Sequence, residues 1–361
     1  MSVRIEGLNR YLYGWYLVRN MKRMVFFLSL TCISVLVCEV GLHGLYLLTK
    51  GRFIWAREQF IVRDFTQRVN DERYITGKPR YRNASYTDGT APWQIELDSH
   101  GFRMGLNTLS EEHANVVFIG DSVPFGYGVN NSDTVPSLLQ ERLQRAHHRR
   151  GVINAALPSY SLDQAVHRYK YELAGRYKIE AVILQIYDPA TQFAQLGRGW
   201  DVTKNWTTSP VWERWLPVLQ YSSLWHVTYH YMLPIVGYAP ERLKPSDEMA
   251  TKKYIDSINA SLQMLINETR GEVKTIFILP ATLPPKTWRQ SSEPQRFALT
   301  MLNQTLQAFA RKHSKTRFVD TNALFASDED GRNFIDECCH LSHEGATRLA
   351  GVLADLLLAP N

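Results

Sequence analysis

From residue 115 to residue 358 the chain repeats one pattern: a short apolar run, then a run of helix length. The short runs are 116–119, 152–154, 181–186, 273–279 and 317–319; the long ones are 135–147, 162–177, 249–268, 293–313 and 343–358. Short strands that read apolar throughout are buried on both faces, and a helix between each pair makes the connections crossovers. The pattern predicts an α/β domain, a three-layer doubly wound parallel sheet close to the flavodoxin-like order. In the run 162–177, Val166, Tyr169, Leu173 and Tyr177 fall at three- and four-residue steps, enough for one buried stripe. With 361 residues, 45% of them hydrophobic, the chain can bury a sizeable core.

The first short run ends in Gly120-Asp121-Ser122, and Pro124, Gly126 and Gly128 keep the next segment irregular. The turn at the carboxyl end of a central strand is where open α/β sheets place their ligands. Gly120 allows a tight backbone there, and Ser122 offers a nucleophile. A serine hydroxyl titrates far above neutral pH, so it needs a general base within hydrogen-bond reach. His340, in His340-Leu341-Ser342 just before the last helix-length run, is the candidate. Taken alone, the tripeptide fits a polar turn equally well, and a lone histidine is most often a core or surface residue.

Together these segments resemble the SGNH (GDSL-type) hydrolase superfamily. Asp98-Ser99-His100-Gly101-Phe102-Arg103 and Phe125-Gly126-Tyr127-Gly128-Val129 are similar to the same segments of one membrane-anchored bacterial branch. The resemblance runs from about Glu96 to Leu358 with a gap in the middle, and it implies a Ser122–His340–acid site with no metal and no cofactor. The family's acid is an Asp three residues before the His. Here that position is Glu337, with Asp336 one further back. Register favours Glu337 and residue type favours Asp336, so both stand as candidates.

The resemblance also implies an oxyanion hole. The Ser122 N–H is its first donor. The family's Asn-x-Gly-x-x-Gly block reads Asn154-Ala155-Ala156-Leu157-Pro158-Ser159 here, which makes the Ala156 N–H the second. The third is normally the Asn of Gly-x-Asn-Asp, and this chain reads Gln185-Ile186-Tyr187-Asp188. Asp188 is the nearest counterpart, but an ionised carboxylate repels an oxyanion; Gln185 or Gln192 are alternative donors. Asp121 is expected to hold the turn.

Residues 24–48 are apolar apart from Glu39, His43 and small polar residues. About 25 residues at ~1.5 Å rise cross a hydrocarbon core of ~30 Å. A cleaved signal peptide competes, but its apolar region is shorter and ends in small residues, where this one ends Leu45-Tyr46-Leu47-Leu48. The expectation is a retained single-pass anchor. Arg4, Arg10, Arg19, Lys22 and Arg23 precede it and Lys50, Arg52 and Arg57 follow, a modest bias that puts 1–23 in the cytoplasm. The domain is then on the periplasmic or extracellular side of a cell inner membrane. Glu39 in the span reads as functional, as a helix–helix contact or as a local water defect. Residues 49–92 read as a linker with an opening flap, and 93–361 as the hydrolase-like domain. The stretch 193–247 breaks the alternation with Trp200, Trp206, Trp212, Trp215 and Trp225 and reads as an aromatic insertion: a glycan-stacking cap, a bilayer contact or an ordinary subdomain core.

The net charge of +6 is spread out, and no basic run with interleaved aromatics marks a nucleic-acid face. Cys32 and Cys38 lie in the apolar span, Cys338 and Cys339 next to His340, without metal-ligand spacing. The expectation is a membrane-tethered serine esterase or O-acyltransferase acting on ester groups, O-acetyl above all, of a polysaccharide or envelope glycan, with lipid esters as the other substrate class. The competing reading is a catalytically degenerate relative that binds glycan or serves a membrane complex.

Overall fold

The computed structural model describes residues 3–50, 65–73, 75–86, 92–105, 114–185, 224, 248–269, 271–280, 282–328 and 330–359. The chain divides into two compact units, Met1–Ala56 with Trp215–Tyr238, and Arg57–Arg214 with Ala239–Asn361.

The first unit contains α1 (Val3–Lys50). Its stretch Met24–Thr49, 26 residues, is long and apolar enough to cross a membrane. Phe26, Phe27, Leu36, Val37 and Val40 are exposed along it. Glu39 is half-buried: one carboxylate oxygen accepts the Leu224 backbone N–H at 2.9 Å, and the other lies 3.3 Å from His43 Nε2. The acid in this apolar stretch therefore has partners from its own helix and from residue 224 of the 193–247 stretch. The rest of that insertion lies outside the described residues.

The second unit opens with β1 (Thr66–Arg68), β2 (Ile75–Gly77), β3 (Arg82–Tyr86) and β4 (Trp93–Glu96). β1 pairs antiparallel with β2, and β3 with β4. The segment read as a linker thus holds three of these strands. The cause is apolar burial: Phe65 is fully buried and stacks on Phe125 at 5.2 Å.

There follow β5 (Asn115–Gly120), α2 (Ser122–Phe125), α3 (Val135–Arg145), β6 (Gly151–Asn154), α4 (Leu162–Arg168) and β7 (Ile179–Gln185). The chain continues with α5 (Glu248–Glu268), β8 (Thr275–Leu279), α6 (Pro285–Gln290), α7 (Glu293–Lys312), β9 (Thr316–Phe318), α8 (Thr321–Phe325) and α9 (His343–Leu358). The main sheet has the order β6-β5-β7-β8-β9, all neighbours parallel, which is the flavodoxin-like order. The nucleophile strand β5 therefore sits inside the sheet, and every one of its residues is buried.

Strand periodicity divides the core in two. Val117 and Ile119 face one cluster with Val166 of α4, Leu262 of α5 and Leu302 of α7. Val116 and Phe118 face the other with Leu139 of α3 and Leu349 and Leu353 of α9. Each such leucine contributes about 2 kcal/mol by leaving water.

Local signals fix the helix ends. Thr134 caps α3 by accepting the Ser137 N–H, and Ser161 with Gln164 forms a reciprocal capping box on α4. Where the sequence predicts one helix to residue 177, α4 passes at Tyr169–Leu173 into a π-helical turn, and the Ala174 N–H reaches back to the Tyr169 carbonyl. Val166, Tyr169 and Leu173 still form the buried stripe.

Candidate active site

The strand β5 delivers its last residue, Gly120, at φ 144°, where a side chain would meet the Gln185 carbonyl oxygen at 2.5 Å. Only glycine fits between the two strands, and the chain then turns sharply. Asp121 caps α2: its Oδ1 accepts the Val123 N–H at 3.1 Å. This is the turn-holding role expected of it. Ser122 is the first residue of α2 and is 5% exposed. Asn154, at the end of β6, holds the far end of the turn, its Nδ2 donating to the carbonyls of Pro124 (3.1 Å) and Phe125 (3.2 Å).

His340 arrives from the other end of the chain. The loop before α9 is closed by the Ile335 N–H donating to the His340 carbonyl at 2.9 Å. Ser342 caps α9, accepting the Gly345 N–H at 3.2 Å, and Leu341 is buried in the core. The histidine between loop and cap therefore has a fixed backbone. Its Nε2 lies 2.9 Å from Ser122 Oγ, across 218 positions of sequence. The ring packs against Tyr127 at 5.0 Å between centroids, and Tyr127 against Trp93 at 4.8 Å.

Of the two candidate acids, Asp336 reaches the ring: its Oδ2 is 2.5 Å from His340 Nδ1. Its Oδ1 accepts the N–H groups of Cys338 (3.0 Å), Cys339 (3.0 Å) and His340 (3.2 Å). Burial works to raise the Asp336 pKa. The hydrogen bond and charge of His340 and the Cys339 and His340 N–H groups outweigh it, and the carboxyl stays below the usual range. Glu337 is exposed, and its carbonyl accepts the Thr287 hydroxyl at 2.5 Å. The register that favoured Glu337 counts along the sequence; the turn of the loop moves the acid one residue back.

The oxyanion candidates divide. Ser122 stands at the amino end of α2. The Ala156 N–H makes a 3.3 Å bond to Asn154 Oδ1, and Ala156 is absent from the positive-φ residues, so alanine fits where the family has glycine. Ser159, at the block's second glycine position, is held at φ 68°. Asp188 and Gln192 lie outside the described residues. Gln185 is buried at the end of β7, and its Nε2 has no hydrogen-bond partner among the described residues.

Two buried arginines brace the loops around the serine, and sequence reasoning assigned no role to either. Arg103 is 3% exposed and meets carbonyl oxygens of Gln94, Phe125, Gly126 and Val129 and the side chain of Asn131. Burial pushes its pKa down to about 9, with Asp133 opposing, so it is cationic at neutral pH. Arg168, fully buried, donates to Glu172 (2.9 Å), the Gly101 carbonyl (2.9 Å) and the Ala156 carbonyl (3.3 Å). Its guanidinium lies 5.2 Å over the Phe102 ring. Glu172 also takes Arg73 and the Thr76 hydroxyl, joining α4 to the β1–β2 hairpin. The signal for Arg103 was present in the segment from Asp98 to Arg103. Asp98 Oδ1 accepts the N–H groups of His100 and Phe102, a tight turn that delivers Phe102 and Arg103 to the interior.

No family model matches the chain, and no curated protein matches it. Solved structures similar to it include Axe2, an acetylxylan esterase from Geobacillus stearothermophilus, at 14% identity over 70% of this chain and 98% of that one, TM-score 0.43. LAE5, an α/β hydrolase enzyme from the metagenome of Lake Arreo, is 15% identical over 70% of this chain and all of its own (100%), TM-score 0.41. A lipase/acylhydrolase from Enterococcus faecalis is 12% identical over 68% of this chain and 95% of its own, TM-score 0.42. Overlap this loose says nothing of substrate. The sheet order and the meeting of Ser122, His340 and an acid are what the SGNH resemblance implies.

Proposed function

We propose that the chain is a serine ester hydrolase of the SGNH type. The observation that carries this is the continuous line from Ser122 Oγ to His340 Nε2 (2.9 Å) and from His340 Nδ1 to Asp336 Oδ2 (2.5 Å). His340 takes the Ser122 proton as the oxygen attacks an ester carbonyl, Asp336 fixes the tautomer and steadies the imidazolium, and the alcohol leaves with that proton. An acyl-Ser122 ester remains, and water or a sugar hydroxyl receives the acyl group. The Ser122 and Ala156 N–H groups are the oxyanion donors; each is worth about 3–4 kcal/mol when removed. Ala156 must give up its long bond to Asn154 to serve. We extend the proposal to place: the apolar stretch of α1 is a retained membrane anchor, with the hydrolase unit on the periplasmic or extracellular side. The substrate class is an acylated envelope glycan or lipid ester.

A fluorophosphonate probe followed by peptide mapping tests the chemistry. Adduct on Ser122 is expected, with loss of labelling in Ser122→Ala and in His340→Ala. A full chain that stays unlabelled, or carries the adduct elsewhere, removes the hydrolase. One observation favours a second reading: the stretch Gln185-Ile186-Tyr187-Asp188 lacks the Asn that is the family's third oxyanion donor, and its nearest counterpart is Asp188. A glycan-binding relative without turnover predicts that wild type and Ser122→Ala treat a reporter ester alike.

A further inference from the structure

Within Met24–Thr49 the half-buried residues are Glu39, Leu42, His43 and Tyr46, and all the others are exposed. Steps of three and four residues put these four on one face of the helix, so that face is covered over the carboxyl half of the stretch only. Part of the cover is the chain itself. Glu39 accepts the Leu224 backbone N–H at 2.9 Å, and α1 shares its compact unit with Trp215–Tyr238. Leu224, the one residue of Trp215–Tyr238 among those described, is half-buried as well.

The sequence shows which surroundings this stretch suits. Residues 215–238 carry no Asp, Glu, Lys or Arg, while Glu213-Arg214 and Glu241-Arg242 stand on either side. Trp215 and Tyr238 mark the two ends, the kind of amphipathic ring that gathers at headgroup level.

We propose that the chain around Leu224 re-enters the bilayer from the exported side and packs on the anchor, with Glu39 as its clasp and lipid acyl chains around it. This re-entry rests on the membrane-anchor reading. Along the helix Glu39 is about 15 Å from Thr49 at ~1.5 Å per residue, half of a ~30 Å hydrocarbon core. A backbone N–H at that depth is out of reach of water and needs an acceptor. The Glu39 carboxylate supplies it, and His43 Nε2, 3.3 Å away, partners the other oxygen. An acid in mid-span is unfavourable without such partners, so each group explains the other. Residues 24–38 are exposed all round. The cover therefore ends near mid-depth, and the chain turns back there instead of crossing.

The full chain is reconstituted in phosphatidylcholine vesicles with bimane on one cysteine at a time, the remaining cysteines being replaced by serine. The three sites are Cys32 in the apolar stretch, Ser223→Cys, and Ser99→Cys on the exposed turn of the second unit. Quenching is read with a nitroxide on the lipid acyl chain and with iodide in the water. The acyl-chain nitroxide is expected to quench Cys32 and Ser223→Cys at least ~3-fold more than Ser99→Cys, and iodide the reverse. Glu39→Leu should raise iodide quenching at Ser223→Cys at least about twofold while Cys32 stays in lipid, and Glu39→Gln, which keeps an acceptor oxygen, should not. Iodide quenching at Ser223→Cys with Cys32 in lipid overturns re-entry and leaves the anchor standing. Iodide quenching at Cys32 as well ends the anchor reading and re-entry with it. A label at Ser223→Cys that neither quencher reaches is enclosed by protein, which also overturns re-entry. No change in Glu39→Leu overturns the clasp.

Discussion

At Asp336 a single carboxylate serves two structures at once. One oxygen orients His340 and the other gathers three backbone N–H groups of the same loop. Asp336→Asn keeps the shape but replaces one acceptor oxygen by an amide, which disfavours the tautomer that leaves Nε2 free to take the Ser122 proton. Its expected effect is a fall in kcat of about 10⁴-fold on a reporter ester. Glu337→Gln, one residue away on the exposed side, should leave kcat within about twofold, as surface changes do. Steady-state kinetics on the two variants check the pair; equal losses would return Glu337 to the site. That choice was not legible in the sequence. Residue spacing counts along the chain, and the turn between residues 336 and 340 decides which carboxylate points inward.

Among the elements, the block from β6 into α4 shows how a family motif survives substitution. Ser159 sits at φ 68° where the motif has glycine, a conformation that costs a side-chain-bearing residue about 1–2 kcal/mol. Ser159→Gly should therefore raise the urea midpoint by an amount equivalent to about 1 kcal/mol, without change in kinetics; a lowered midpoint would refute the strain. The π turn after α4 places Arg168 and Glu172 on one buried network with Arg73. Burial tends to raise the Glu172 pKa, but Arg168, Thr76 and Arg73 overcome it and hold the carboxyl below its ordinary value. A depressed folded pKa gives stability that is present above the unfolded value, near pH 4–4.5, and is lost as pH falls through the folded one. Glu172→Gln, which strands two buried cations, should cost roughly 3 kcal/mol at pH 7, and the gap to wild type should narrow below about pH 4. Denaturant melts at pH 7, 5 and 3.5 measure it; a gap independent of pH would disprove the ionic account. The strands and helices themselves were readable because apolar runs and caps are local. The arginine braces were not, because each one's partners come from separate segments of the chain.

For the molecule as a whole, the order β6-β5-β7-β8-β9 is what lets a serine and a histidine 218 positions apart share a proton. Five parallel strands could be counted in the sequence, and their alternation with helices pointed to a doubly wound sheet close to the flavodoxin-like order. The hairpin strands within 65–86 escaped notice because they are three to five residues long and mixed in polarity. The helix Met24–Thr49 makes a separate prediction. The intact chain should stay in the membrane pellet through alkaline carbonate, while a chain cleaved after the apolar stretch should be released; release of the intact chain would end the anchor reading.

Ser122 follows the first strand of the main sheet to be synthesised, and His340 follows the last one. A ribosome making this polypeptide exposes Ser122 long before it makes His340. On the hydrolase reading proposed above, Ser122 has no base until α9 and the loop before it have emerged, so translation order itself would postpone ester cleavage until that loop is made.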